Sequence, residues 1–286
     1  MPQLVDVLHL GSPHVIGVYV LDGPEPALVD CGPAVCAEAL EKGLQALGLP
    51  LQDVRHVILT HVHPDHAGAA GALVRANPGL QVHVSEVGAP HLVDPTRLEQ
   101  SARRLYGDEF DRIFGAIVPA PAQNVHALGD RILDLEVFPT PGHAWHHVSF
   151  LDSEGACYTG DVAACVLPPG RFLYPASAPP GIDLNAWEAS LDAIEARRPS
   201  VLRLTHFGEV ADPPAHLART RERLREWAER VRKGATVEEF SAAAEAELQA
   251  EADGTAELYR QLPSFELSYA GLRRYLDKQV KREERS

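Results

Sequence analysis

The six residues His61-Val62-His63-Pro64-Asp65-His66 carry three imidazoles and a carboxylate. The apolar, β-branched run at 56–60 predicts a buried strand before them, and the small residues of 67–74 predict a helix after them. Residues two apart at the end of a strand point the same way, so His61 and His63 can bind one cation together. The proline then ends the strand, and the acidic and basic side chains that follow are aimed at a neighbouring point. The turn therefore predicts ligands for one or two adjacent metal ions.

Imidazole and carboxylate ligands suit zinc or another first-row divalent metal such as iron or manganese. A simple polar helix cap is the alternative, but it would not need four potential ligands in six residues. The cysteines show neither C-x-x-C spacing nor the density of a disulfide framework, so we expect reduced thiols. These are Cys31, Cys36, Cys157 and Cys165.

The bulk properties narrow the class of protein. A chain of 286 residues with 45% hydrophobic residues can form one sizeable domain or a domain with an appendage. Because 26 Lys and Arg stand against 40 Asp and Glu, the net charge of −14 disfavours nucleic acid as a partner. The start of the chain lacks a signal-peptide pattern, and no apolar run has bilayer-spanning length. We therefore expect a cytoplasmic protein without a membrane partner.

The order of predicted elements indicates an α/β protein. Three short strands in the first thirty residues predict an antiparallel meander, and strands alternate with helices up to residue 84. Strand patterns between 125 and 159 predict a second meander, and a strand at 201–204 is expected to be the last. Two meanders favour a two-sheet sandwich.

Three segments lie outside the predicted sheets. Residues 86–118 predict two helices, around 95–106 and 108–114, and are a candidate lid. The Pro- and Gly-rich stretch 166–181 predicts an ordered loop near the site. Residues 211–286 predict a helical C-terminal extension, which ends in a basic tail and offers a surface for homo-oligomer formation.

Further potential ligands follow predicted strands at three later places. They lie in Thr140-Pro141-Gly142-His143, in Tyr158-Thr159-Gly160-Asp161 and in Leu204-Thr205-His206-Phe207-Gly208. Together with the first cluster and Leu28-Val29-Asp30-Cys31-Gly32, this order of motifs resembles the metallo-β-lactamase superfamily of metal-dependent hydrolases across residues 1–210. The resemblance implies a four-layer αββα sandwich with the site at one edge. The Thr-Pro-Gly-His-Ala-Trp-His-His stretch resembles the glyoxalase II-like thioesterase and lactonase branches, although no basic cluster for glutathione is evident.

The resemblance also implies a ligand assignment for two divalent metal ions, with zinc expected and iron or manganese as alternatives. It assigns His61, His63 and His143 to one ion and Asp65, His66 and His206 to the other, with Asp161 bridging. Two such cations can share a hydroxide and stabilise the oxyanion that it creates, and Asp65 would orient that hydroxide as the catalytic residue.

Other candidates have ordinary structural alternatives. Asp30 resembles the family position that supports the ligand loops, but it could simply cap a turn. His147 resembles a thioesterase histidine that lies behind or beside the metal ligands, although a strand-start histidine is the simpler interpretation. Four further residues are candidates for the substrate pocket, although each could merely pack against its neighbours: His91, Tyr106, Phe172 and Tyr174.

The leading functional hypothesis is a dinuclear metal-dependent hydrolase that cleaves a thioester or lactone in a small-molecule substrate. One alternative is a mononuclear iron oxidoreductase of the persulfide dioxygenase type. Another is a phosphodiesterase or nuclease, which the acidic composition disfavours. The superfamily hosts all of these activities, so the fold alone does not decide among them.

Overall fold

The structure, a computed structural model, describes residues 3–283. Residues 284 and 285 of the predicted basic tail lie outside the described residues. No helix in the described part of the chain is both long and apolar enough to cross a membrane.

Twelve strands form two six-stranded sheets in the described chain. The first sheet has the order β1-β2-β3-β4-β5-β6: it begins with the predicted antiparallel meander and continues with parallel strands. Its strands are β1 Gln3–Asp6, β2 Gly17–Leu21, β3 Ala27–Val29, β4 His56–Ile58, β5 Gln81–Val84 and β6 Val125–Ala127.

The second sheet has the order β12-β11-β10-β9-β8-β7 and contains the predicted second meander from residue 131 onward. The first strand predicted for that meander, near residue 125, instead forms β6 and pairs in parallel with β5 of the first sheet. The strand pattern alone does not specify which sheet a strand joins. Its strands are β7 Arg131–Ile132, β8 Leu135–Pro139, β9 Val148–Leu151, β10 Ala156–Gly160, β11 Val201–Leu204 and β12 Gly208–Val210. The prediction that 201–204 is the last strand is wrong, because β12 pairs with β11 in antiparallel fashion directly after the turn at His206. Three residues that include a glycine carry too little pattern to be recognised as a strand.

Helices cover the outer faces of both sheets. Before the second sheet they are α1 Ala37–Ala46, α2 Pro64–Ala67, α3 Ala70–Ala76, α4 Ala89–Val93, α5 Thr96–Tyr106 and α6 Phe110–Ile113. After β10 they are α7 Leu184–Ala196, α8 Pro213–Arg232, α9 Val237–Glu251, α10 Ala256–Tyr259 and α11 Phe265–Glu283. The region 86–118 thus holds three helices where the sequence predicted two.

The hydrophobic side chains form the layers of a sandwich. Tyr19 and Ile58 of the first sheet pack against Phe150 and Tyr158 of the second, so this core lies between the sheets. Leu40 of α1 packs within the core on the outer face of the first sheet. The core on the outer face of the second sheet contains side chains from α7 and α8. The result is the predicted four-layer αββα sandwich with C-terminal helices.

The C-terminal helices share a core with the Pro-rich loop. Trp227 of α8 is fully buried and packs edge-on against Phe240 of α9 and Phe265 of α11. Phe172 and Tyr174, from the loop, belong to the same cluster. Helices α8 to α11 therefore bury their apolar faces against the sandwich.

Candidate metal centre

The candidate ligands meet where strands of both sheets end. His61 follows β4 after two residues, Asp161 follows β10 directly, and His206 follows β11 after one residue. His143 lies in the turn after β8. The two sheets therefore direct residues that are far apart in sequence toward one edge of the sandwich.

Six of the candidate ligands form two groups of three with no residue in common. The first contains His61, His63 and His143, and the second contains Asp65, His66 and His206; within each group the ligand atoms lie within 4.8 Å of one another. In the first group, Nδ1 of His63 lies 3.0 Å from Nε2 of His61 and 2.9 Å from Nε2 of His143. In the second group, Oδ2 of Asp65 lies 3.5 Å from Nε2 of His206.

Asp161 lies between the two groups. Its Oδ2 is 3.5 Å from Nε2 of His143, whereas its Oδ1 is 3.1 Å from Nε2 of His66 and 3.6 Å from Nε2 of His206. The two oxygens of one buried carboxylate therefore face different groups of histidines.

The residues fit a bound cation. Nε2 of His66 and Oδ1 of Asp161 are buried and lie 3.1 Å apart, and neither atom makes a hydrogen bond of acceptable geometry within residues 3–283. Such orphaned atoms are rare in proteins, because a buried polar atom without a partner costs about 1–3 kcal/mol. Nitrogen and oxygen donors of this kind suit zinc, iron or manganese.

In most of these histidines, the ring nitrogen that faces away from the centre forms a hydrogen bond with another group. Nδ1 of His66 donates to Asp30 at 2.8 Å, Nδ1 of His143 donates to the carbonyl of Ala176 at 2.7 Å, and Nδ1 of His206 donates to the carbonyl of Val15 at 2.8 Å. Such hydrogen bonds select the tautomer in which the opposite nitrogen is free to bind a metal.

The charges of the centre differ between the two groups. Burial, reinforced by neighbouring histidines, lowers the pKa of His61 and His63 well below the usual range, so both rings stay neutral. Burial also opposes the charging of His66, but Asp161, Asp30 and Asp65 outweigh it and raise its pKa. The three carboxylates thus make the second group attractive to positive charge.

Asp30 and His147 form hydrogen bonds with candidate ligands on the side away from the cavity. The fully buried carboxylate of Asp30 accepts hydrogen bonds from the backbone N–H of Thr60 at 2.8 Å, from Nδ1 of His66 and from the hydroxyl of Thr205 at 2.9 Å. It therefore contacts three separate segments. Nε2 of His147 accepts from the backbone N–H of Asp161 at 3.2 Å, while its Nδ1 donates to the hydroxyl of Thr140 at 2.9 Å.

A cavity of about 280 Å³ opens over the centre. His63, Asp65, His143 and Asp161 reach it from the centre, and the helical region 86–118 forms a large part of its wall. His91 and Tyr106, both predicted for the pocket, line this wall.

The structure does not bring Phe172 and Tyr174 into the cavity. Both side chains are almost fully buried and pack around Trp227, and the hydroxyl of Tyr174 donates to the carbonyl of Pro263. The expectation that they line the pocket was therefore wrong, because α8 and α11 cover them. Other residues of the loop, including Ala176 and Pro179, line the cavity instead.

Sequence reasoning missed several cavity residues. Trp145 and His146 lie in the turn two and three residues after His143, and that proximity to a ligand was the available signal. Arg97 and Arg104 also line the cavity, but only the orientation of α5 reveals this.

Comparison with known proteins agrees with the fold and the motifs. The family model described as the metallo-beta-lactamase superfamily matches residues 12–206. The chain therefore belongs to the metallo-β-lactamase superfamily, whose members are generally metal-dependent hydrolases and include some oxidoreductases. This match confirms the predicted superfamily and does not select a branch within it.

Individual relatives and structures resemble the chain over different lengths. It is 28% identical over 219 residues to the uncharacterized protein YobT of Bacillus subtilis, a match that covers 73% of this chain and 87% of that protein. The metallo-beta-lactamase family protein TTHA1429 of Thermus thermophilus has a similar structure, with a TM-score of 0.67, 26% identity, and coverage of 99% of this chain and 94% of that one.

Two further likenesses concern proteins whose ligand or activity is named. The atrochrysone carboxyl ACP thioesterase of Emericella nidulans is 30% identical over 176 residues, which cover 56% of this chain and 48% of that enzyme. TTHA1623, solved in a di-iron-bound form, has a TM-score of 0.53 and 26% identity, with coverage of 72% of this chain and 93% of that one. The chain spans about a third of the lactamase-like protein adaB of Aspergillus niger, another relative that it matches.

Proposed function

We propose that this protein is a dinuclear metal-dependent hydrolase that cleaves a thioester or lactone in a small-molecule substrate. The observation that carries the proposal is the position of Asp161, whose two carboxylate oxygens face different histidine groups at 3.5 Å and 3.1 Å. A carboxylate in that position suits two neighbouring cations. The di-iron-bound form of TTHA1623 supports the same number of ions.

The first ion would be held by His61, His63 and His143. The second would be held by Asp65, His66 and His206, and Asp161 would contact both. When bound, two divalent ions would lower the pKa of water toward neutrality and favour negative charge on the oxygen of an attacked carbonyl.

The side chains of the protein supply the remaining functions. Burial opposes ionisation of Asp65, but His66 and His206 outweigh it and lower its pKa, so the carboxylate accepts a hydrogen bond from the attacking water. Since a carboxylate with a lowered pKa is a weak base, its contribution is orientation of that water. Its side chain is 21% exposed and lines the cavity, so it can reach a water molecule there.

The cavity favours an acyl substrate. Its wall includes Leu98, Leu105 and Phe114, and its volume of about 280 Å³ suits a short apolar group. Tyr106 presents a hydroxyl that forms no hydrogen bond within residues 3–283. Burial, and then the charges of Asp65 and Asp161, raise the pKa of this phenol, so it stays protonated and can donate to the substrate. The fungal thioesterase relative supports a thioester among the possible substrates.

The test combines metal content with turnover of thioester, lactone and phosphodiester substrates. We expect about two metal ions per chain and hydrolysis of a thioester or lactone. His63→Ala and Asp161→Asn should reduce both metal content and turnover by orders of magnitude in a folded protein. His126→Ala is the matched control, because this exposed histidine of β6 belongs to neither ligand group. One iron per chain with oxygen consumption, or full turnover in Asp161→Asn, would contradict the proposal.

A further inference from the structure

Two arginines of α5 share the side of the helix that faces the cavity. Arg97 and Arg104 are seven residues apart, which corresponds to two helical turns and about 10 Å along the axis. Between them, Ser101 lines the same wall. Both arginines are exposed, whereas Asp161 at the metal centre is buried, so the guanidinium groups lie at the outer end of the cavity.

Neither arginine is paired with an acidic side chain. Within residues 3–283, Arg97 and Arg104 form no ion pair and no side-chain hydrogen bond, whereas Arg103 of the same helix bonds Glu99 at 2.8 Å and also pairs with Asp111. Hydrogen bonds from the hydroxyl and backbone N–H of Thr96 to Oδ1 of Asp94 lower the pKa of Asp94, and the charge of Arg97 adds to this shift. Asp94 and Arg97 nevertheless form no ion pair within residues 3–283.

Arg97 and Arg104 form no ion pair although the protein has a net charge of −14. Acidic residues are abundant, and most arginines of α8 form an ion pair with one of them, including Arg221, Arg223 and Arg225. The acidic side chains of the cavity wall are Asp65 and Asp161, which belong to the metal centre. The outer end of the cavity therefore carries two arginines that form no ion pair within residues 3–283.

Apolar side chains form a large part of the cavity wall beside the arginines and the metal centre. Leu98, Leu105 and Phe114 form one side, and Ala176 and Pro179 belong to the Pro-rich loop. A ligand that fills the cavity would therefore meet carboxylates and histidines at its inner end, apolar surface along its length and guanidinium groups at its outer end.

We propose that Arg97 and Arg104 bind the anionic group of the substrate, which is a thioester or lactone that also carries a carboxylate or a phosphate. This inference rests on the proposed function for the position of the reactive carbonyl. The planar guanidinium group donates two parallel hydrogen bonds to either anion, which gives direction as well as attraction. The pair therefore selects substrates by charge, while the apolar wall contacts the part of the substrate that joins the reactive carbonyl to the anion.

The experiment uses S-butanoyl thioesters of three thiols with the metal-loaded protein. N-acetylcysteamine is neutral, 3-mercaptopropionate carries a carboxylate, and pantetheine 4′-phosphate carries a phosphate. The variants are Arg97→Gln, Arg104→Gln and the double substitution, with Arg103→Gln as a matched control on the same helix, because its guanidinium is held by Glu99 and Asp111. The readout is kcat/KM for each anionic thioester divided by kcat/KM for the neutral one.

We expect this ratio to fall about three- to tenfold in each single variant, mainly through KM, because these contacts are charge-assisted but partly screened by solvent. The ratio should stay constant in Arg103→Gln, and high salt should reduce it in the wild type. The ratio is compared between the two anionic thioesters. The thioester whose ratio falls further in the arginine variants shows whether the carboxylate or the phosphate is recognised. An equal ratio in the wild type and the double variant would overturn the inference and leave the hydrolase proposal intact.

Calorimetric binding of the non-hydrolysable S-butyl thioethers of the same thiols separates the two proposals. If no thioester is hydrolysed, the proposed function fails, and binding alone then decides the role of the arginines. Weaker binding of the anionic thioethers to the double variant than to the wild type would support the inference. Equal binding of neutral and anionic thioethers to both proteins would overturn it.

Discussion

The carboxylate of Asp30 accepts a hydrogen bond from Nδ1 of His66 at 2.8 Å, although the two residues are 36 positions apart in the chain. The same carboxylate accepts from Thr60 and Thr205, so it connects the strand end before the histidine cluster with the strand end before His206. Asp30 itself has a φ of 60°, in the left-handed region. One buried side chain thus orients ligands that come from both sheets.

Asp30→Asn should weaken metal binding while retaining the local backbone, because Asn tolerates a left-handed conformation. We expect a loss of about 10–100-fold in metal affinity, the range seen when the partner of a metal-binding histidine is removed. Competition with a chromogenic chelator measures it. Asp53→Asn, at an exposed aspartate, is the control. Wild-type affinity in Asp30→Asn would show that His66 does not need this acceptor.

Tyr106→Phe should reduce kcat/KM about tenfold, because one hydrogen bond of about 1–1.5 kcal/mol to the substrate is lost. The ring contact with Phe114, whose centroid lies 4.9 Å away, is retained by phenylalanine, so the thermal stability should change little. Steady-state kinetics with the hydrolysed thioester or lactone provides the measurement. Tyr269→Phe removes a hydroxyl that donates to Ala235, far along the chain, and should leave kcat/KM unchanged. A wild-type kcat/KM in Tyr106→Phe as well as in Tyr269→Phe would exclude a role for the Tyr106 hydroxyl.

Gly142→Ala should destabilise the protein and displace His143. A Cβ at this position would overlap the Cα and Cβ of Trp187 in α7, and the φ of 135° disfavours any side chain. We expect a loss of about 2–3 kcal/mol in the free energy of unfolding, together with a lower metal content. Urea denaturation and elemental analysis measure the two effects. Gly129→Ala, where an added Cβ meets nothing within 4 Å, should change neither quantity.

Glu247→Gln should weaken the packing of α8 on α9 in a pH-dependent way. Glu247 accepts from Nε1 of Trp227 at 3.0 Å and pairs with Arg223 and Arg230. Burial opposes ionisation of its carboxyl, but these partners outweigh it and lower the pKa. A lowered folded-state pKa stabilises the protein above the unfolded value of about 4.3, and that stabilisation is lost as the pH falls through the folded value.

At pH 7 we therefore expect Glu247→Gln to lower the free energy of unfolding by about 1 kcal/mol, because the carboxylate is partly exposed and its pairs are screened. The difference from the wild type should shrink as the pH falls below about 4, where the native carboxyl also becomes neutral. Urea denaturation across this pH range measures it. Glu245→Gln, at a neighbouring and more exposed position, is the control. A difference that does not vary with pH would show that the charge of Glu247 contributes nothing.

Several features could be predicted from the sequence because they depend on local patterns. The alternation of strands and helices predicted the α/β class, and the resemblance of the motifs predicted the αββα layers. The spacing of His61 and His63 also sufficed, because residues two apart at a strand end project together whatever the rest of the fold does. The structure and the family match confirm the fold and the superfamily. The assignment of ligands to individual ions stays a prediction.

Other features depend on which helix covers which surface. Phe172 and Tyr174 lie in a loop that has no periodicity, so nothing in the sequence indicated that α8 and α11 would bury them. Strand β12 was missed because three residues contain too little pattern.

The types of candidate ligand, the turn that presents them and a metal-dependent chemistry could be predicted from the sequence, because these follow from donor atoms and short-range spacing. The structure adds that Asp30 contacts His66 and that Arg97 faces the cavity while Arg103 does not. It also gives the distances at which Asp161 faces the two histidine groups, a position that the resemblance had implied. Contacts between distant segments, and the rotation of a helix about its axis, result from the packing of the whole core.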